Sequence, residues 1–138
     1  MTQPARTRQQ RRDDTEDRLE RDVDAWVASA DPATGTPYLV PLSFLWDGRA
    51  LLFATPAASP TGRNLRATRR ARLGLGPTRD VVVVEAEVED VVAAGEIASG
   101  VGDDFAAKTG FDPRELSTPY LYFRLRPQRV QAWREVNE

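Results

Sequence analysis

The residues best suited to chemistry lie between Ala50 and Leu75, where a strand-like run ends in Thr55 and Ser59-Pro60-Thr61-Gly62-Arg63-Asn64-Leu65 follows. Ser59 is a favourable helix N-cap and Pro60 a favourable first helical residue, so the spacing predicts a short helix starting directly after a strand. A helix start presents unpaired amides and partial positive charge, and favours a surface anion by about 0.3–1 kcal/mol. Thr55, Ser59 and Thr61 add hydroxyls, and Arg63 adds a planar fork that matches phosphate. An ordinary capped helix with solvated arginines has the same pattern. Arg63, Arg66, Arg69, Arg70, Arg72 and Arg79 fall in a stretch without acids, whereas Asp80 to Asp104 holds eight acids and no base. That asymmetry predicts one electropositive surface.

Composition excludes most other chemistries. The 138 residues include no cysteine and no histidine, so disulfides, Ser-His-Asp triads, thiol redox centres, zinc fingers and His-ligated haem are ruled out. Any metal would need oxygen ligands alone, and Glu85, Glu87 and Glu89 alternate with valines as a solvated strand face does. No metal site and no catalytic residue is assigned. Lys108 is the single lysine; it lacks a phosphate loop, and Lys108-Thr109-Gly110 has no Ser-x-x-Lys companion. Redox chemistry here would have to borrow its reactive atoms from a cofactor. A net charge of −2 gives no general attraction to nucleic acid or anionic lipid. No apolar run approaches the roughly 20 residues of a membrane span, and no secretory signal opens the chain, so no membrane partner and a cytoplasmic location are expected.

The positioning elements follow from periodicity. Residues 1–13 are polar and predict a flexible N-terminal arm, with 14–138 as one domain. Leu19, Val23, Trp26, Val27 and Ala30 predict a helix from Asp14 that ends at Asp31-Pro32. Pro37 to Trp46 and Ala50 to Thr55 predict two strands joined at Asp47-Gly48, the first apolar on both faces and therefore covered on both, with Pro41 marking an edge or bulge. Strands are predicted at Ala71 to Leu75 and Val81 to Val91. Two more, Tyr120 to Arg126 and Arg129 to Arg134, are predicted as divided by Pro127. Ile97, Val101 and Phe105 predict a second helix stopped by Gly110, and Asp112-Pro113-Arg114-Glu115 a capped turn. The strand-borne aromatics Tyr38, Phe44, Trp46, Phe53, Tyr120, Tyr122 and Phe123 read mainly as core. Six or seven short, mostly antiparallel strands with peripheral helices predict a mainly β, α+β small barrel.

The hairpin Tyr38-Leu39-Val40-Pro41-Leu42 to Leu51-Leu52-Phe53-Ala54-Thr55, the capped segment Ser59 to Leu65, the strand Arg72-Leu73-Gly74-Leu75 and the closing Pro127-Gln128-Arg129-Val130-Gln131-Ala132-Trp133 resemble the pyridoxamine 5'-phosphate oxidase-like split-barrel family, over about residues 15–135. The resemblance implies a six-stranded antiparallel split β-barrel that forms a homodimer and binds FMN or the deazaflavin F420 at the subunit interface. It implies that Leu39, Val40, Pro41 and Leu42 line the ring through backbone groups, with Ala54 and Thr55 on the next strand. Ser59 and Thr61 would face the phosphate, with Arg63 and Asn64 as further contacts, and Trp133 would approach the ring from the partner chain.

Two departures from the family pattern matter. Members often carry Ser-Arg-Lys where this chain has Ser59-Pro60-Thr61, so two cations are missing at the phosphate. Phe44 stands where a true pyridoxamine phosphate oxidase has lysine, and its late Arg-x-His segment is lacking, which argues against vitamin B6 oxidation. The resemblance thus implies a flavin- or deazaflavin-dependent oxidoreductase that moves a hydride to or from a small organic substrate. The alternatives are a split barrel that binds cofactor without turnover, or one whose arginines hold nucleic acid.

Overall fold

Val82, Val84, Ala86 and Val88 are buried along one side of a long strand, while Glu87 and Glu89 are exposed on the other. This period of two builds the wall of the fold. The computed structural model describes residues 4–135, and across them six strands close into an antiparallel barrel: β1 (Asp24–Ala30), β2 (Pro37–Trp46), β3 (Leu51–Pro56), β4 (Arg70–Leu75), β5 (Asp80–Ala93) and β6 (Tyr120–Arg134). Their order around the barrel is β1-β2-β3-β6-β5-β4. Three helices flank it: α1 (Arg8–Arg21), α2 (Pro60–Thr68) and α3 (Ser99–Thr109).

Two apolar layers hold the barrel. Inside lie Val27, Phe44, Leu51, Phe53, Leu65, Leu73 and Phe123, with the Phe44 and Phe53 rings 5.7 Å apart. A second layer between the outer face of β3–β6 and α3 contains Leu52, Ala54, Phe105 and Tyr122, the last two in an edge-to-face pair at 5.4 Å. β3 is therefore buried on both faces, which explains its unbroken apolar run Leu51-Leu52-Phe53-Ala54. Leu19 of α1 plugs one barrel end, and Lys108 of α3 reaches over it, donating to the Leu19 carbonyl at 3.2 Å with Nζ 4.4 Å above the Phe44 ring. Burial pushes the Lys108 ammonium down from its ordinary value, against the attraction of Asp22 and Glu20.

Four sequence expectations are corrected. The first helix starts at Arg8, not Asp14, so residues 8–13 are helical; Thr7 caps it through a reciprocal bond with Gln10. The expectation for residues 1–3 lies outside the described residues. That helix also ends at Arg21, and Trp26, Val27 and Ala30 belong to β1. Ala25, Val27 and Ser29 are buried in alternation there, because β1 gains ladder partners on both β2 and β4. Pro127 does not divide the last strand, since β6 runs through it with a register shift opposite Glu85/Ala86 that takes up the missing donor. Val101, expected on the packed side of α3, is exposed, and Phe105 and Gly102 make the contact instead.

The β2–β3 turn behaves as its sequence predicts. The Asp47 carboxylate accepts from the Arg49 and Ala50 amides at 2.9 Å each and pairs with Arg124 of β6. Burial raises the cost of its charge, but Arg124 and these two amides outweigh that and hold its carboxyl below the ordinary 3.8. A folded-state pKa below the unfolded one stabilises the fold above the unfolded value, and this stabilisation is lost as pH falls through the folded one. Asp47→Asn should therefore lower the stability measured by urea unfolding at pH 7 by about 0.5–1 kcal/mol, after allowance for solvent screening. The gap between variant and parent should close as the pH is taken well below 3.8.

Candidate functional site

β2 pairs with β1 from Pro37 to Ser43, but with β3 only at Phe44, Leu45 and Trp46. Beyond Phe44 the two strands part. β3 continues its ladder with β6 through Ala54 and Thr55, whereas Leu39, Val40, Pro41 and Leu42 have no strand on their second side. Pro41, which lacks an amide, stands in this half-open segment, as an edge position requires. Val40 and Leu42 pack on the barrel core, and Leu39 and Pro41 face outward. The expectation that both faces of β2 are covered holds only near Leu45; Leu39 is 60% and Trp26 52% exposed. Trp26 lies opposite both Pro41 and Gly74, so an apolar outer strip runs across β2 and β1.

The mouth of this split is the turn from β3 into α2. Ser59 caps α2, accepting from the Gly62 amide at 3.0 Å, and its hydroxyl donates to the Pro56 carbonyl at 2.8 Å. A serine has one proton, so at the 3.1 Å contact between the two hydroxyls Thr55 is the donor. Both hydroxyls are thus satisfied within the turn. Gly62 is required there, because a Cβ on it would lie 2.5 Å from the Pro56 carbonyl oxygen. Thr61 and Asn64 are buried, and the Asn64 amide donates to Ser29 of β1 at 3.2 Å, tying α2 to the barrel. Of the residues expected to meet a phosphate, only Arg63 reaches the surface fully.

Arg63 donates to the Ala58 carbonyl at 2.7 Å, and Arg66, which sequence reasoning did not place at this turn, donates to the Gly62 and Ala57 carbonyls. These bonds leave several donors of each guanidinium available. Arg63 shares a cleft of about 500 Å³ with Thr34 and Thr36 of the β1–β2 turn and Tyr38 of β2. Asp31 also lines it, its carboxyl held below the ordinary value by the Thr34 and Ala33 amides. The rest of the arginine-rich stretch is tied to the chain itself: Arg69 to the Val88 carbonyl, Arg72 to Glu85 and Arg79 to Glu135. Among the described residues Arg70 is the member of that stretch without a side-chain partner; Arg72 and Arg79 are neutralised by carboxylates, whereas Arg63, Arg66 and Arg69 bond main-chain carbonyls and keep their charge.

The family model for pyridoxamine 5'-phosphate oxidase matches residues 12–134, and the chain belongs to that family. Solved structures with the same fold include an F420 reductase, at TM-score 0.70 and 22% identity over 84% of this chain and 94% of that one. An FAD-binding protein from Mesorhizobium loti aligns at TM-score 0.65 and 18% identity, covering 85% of this chain and 87% of the other. A pyridoxamine 5'-phosphate oxidase-related, FMN-binding protein from Nostoc punctiforme aligns at 0.59 and 16%, covering 86% and 81%. No curated protein matches the chain. Among the described residues no helix is long and apolar enough to cross a membrane.

The polar wiring of the β3–α2 turn sets a stability test. Ser59→Ala removes the cap and leaves the Thr55 hydroxyl without its acceptor, and should cost about 1–2 kcal/mol in chemical denaturation. Gly62→Ala forces its new methyl into a main-chain oxygen and should cost at least as much, about 1–3 kcal/mol.

Proposed function

We propose that this chain is an oxidoreductase whose split binds the ring of FMN or F420 against Leu39–Leu42 and Ala54–Thr55, in a dimer of two such barrels. The observation that carries the reading is the parting of β2 from β3 after three paired positions. It leaves a stretch of backbone donors and acceptors facing no strand, beside an apolar wall, and a planar heteroaromatic ring needs both. Family membership and the flavin- and F420-related names of structural neighbours support the same reading.

The bound ring supplies the hydride chemistry. The chain's own residues position and shield it. Ala54 and Thr55 sit on a strand buried on both sides and form a rigid floor. Ser59, Thr61 and Asn64 shape the turn that presents Arg63, and Arg63 and Arg66 carry the anion contact through the guanidinium donors they have left. The exposed strip of Trp26, Leu39 and Pro41 is the surface a second barrel would cover, with Trp133, exposed near the end of β6, reaching the ring from that second copy. Substrate enters from the same seam, as a small organic acceptor or donor. Phe44 is fully buried in the core, where no substrate reaches it, which fits a reaction other than vitamin B6 oxidation. Arg72 and Arg79 are paired with Glu85 and Glu135 and the net charge is −2, so the cofactor reading is preferred to a nucleic-acid interface.

Titration of the purified protein with FMN and with F420, followed by visible absorption and cofactor fluorescence, should show saturable binding of one of them at about micromolar concentration. Arg63→Gln should weaken that binding about tenfold, the loss of one charge-assisted contact. No binding of either cofactor, or a protein that sediments as a monomer with cofactor present, overturns the proposal.

A further inference from the structure

The cleft that Arg63 opens onto holds an acid as well as a cation. Among the described residues its charged lining is Arg63 and Asp31 alone, and the other polar groups are the neutral Thr34, Thr36, Tyr38 and Asn64. Pro60, which stands where the family pattern often has an arginine, also lines it and brings no charge. Arg66 adds a second guanidinium at the adjoining turn, where it bonds the Gly62 and Ala57 carbonyls. The Asp31 carboxylate is fixed in the β1–β2 turn, accepting from the Ala33 and Thr34 amides at 2.8 and 3.0 Å. The Thr34 and Ala33 amides hold its carboxyl below the ordinary 3.8, with the Arg63 charge as a smaller cause, so it is ionised at neutral pH. An anion drawn to Arg63 therefore also meets a fixed negative charge.

Resting on the cofactor reading above, we infer that Asp31 is a specificity residue of that site: it selects a phosphate diester over a phosphate monoester, so the chain takes the diester-linked F420 in preference to FMN. A monoester carries about −1.5 to −2 charge at pH 7, and a diester about −1. Attraction to the guanidinium groups and repulsion from Asp31 both scale with that charge, while the cost of drawing the phosphate out of water scales with its square. A pocket rich in cations offsets the larger cost. This one sets a carboxylate against its two guanidinium groups, and the singly charged diester loses least. Hydroxyls do not make up the difference, because those of Thr55 and Ser59 are used within the turn and Thr61 is buried.

Ring-matched probes separate phosphate charge from ring chemistry: the 5'-phosphate monoester and its methyl ester, each made on the flavin ring and on the deazaflavin ring, titrated into the full-length protein and read by cofactor fluorescence. On the ring the protein binds, the methyl ester should bind at least about threefold more tightly than the monoester. Asp31→Asn keeps the acceptor oxygen that the turn needs and removes the charge. It should tighten the monoester about tenfold and the methyl ester about threefold, in proportion to their charges, and leave the phosphate-free riboside unchanged. Arg63→Gln should move the ratio the opposite way, because a lost cation weakens the more highly charged ligand more. Asp104→Asn removes an exposed acid of α3 and should change none of these values, and thermal melts check that each variant is folded. A parent protein that prefers the monoester, equal changes for the two esters in Asp31→Asn, or the same shift in Asp104→Asn overturns the inference and leaves the cofactor reading standing. Failure of both rings to bind overturns that reading, and the inference with it.

Discussion

Barrel closure constrains everything else in this molecule. β2 must pair with β1 along most of its length to close one side, and can then pair with β3 only where the two leave their turn. The wall is completed instead by β6, a fifteen-residue strand that pairs with β3 over Tyr120–Leu125 and with β5 from Leu121 to Arg134. The opening between β2 and β3 follows from that geometry. A split in a sheet would ordinarily expose ladder groups to stray pairing, and here Pro41 removes one donor at that edge.

The second organising feature is polar self-satisfaction at the β3–α2 turn. Pro56, Ala57 and Ala58 offer three consecutive carbonyls, and Ser59, Arg66 and Arg63 each answer one. An apparently cationic, hydroxyl-rich loop thereby becomes a rigid bracket whose outward chemistry is narrowed to the remaining guanidinium donors. The same economy governs α1. Arg6 pairs with Asp14, and Arg18 bonds Asp80 at the start of β5, so the helix is latched to the barrel by charge as well as by Leu19.

Much of the wall was legible. The valine alternation of β5, the apolar run of β3, the Asp47-Gly48 turn and the Ser59-Pro60 cap each carry a local signal that the fold obeys. The misread stretch, Asp14 to Ala30, contains apolar residues whose spacing satisfies a helix and a strand in succession. Nothing local marks Asp22 as the boundary, and pairing with β2 and β4 decides it. Pro127 misled for a related reason: whether a proline breaks a strand depends on whether the strand can bulge beside it, and β6 does so, with Gln128 inserted between the partners of Glu85 and Ala86.

By itself the chain determined its class. The absence of cysteine and histidine excluded most catalytic chemistries outright, and the order of strands and caps pointed to a small barrel, because composition and periodicity are properties of the residues alone; the family entered through the resemblance of the Tyr38–Thr55 hairpin and the Ser59–Leu65 segment. Which arginines are available was decided only in three dimensions. Arg72 and Arg79 look identical in sequence to Arg8, Arg12 and Arg49, but a guanidinium's availability depends on the carboxylates the fold brings within about 3 Å of it.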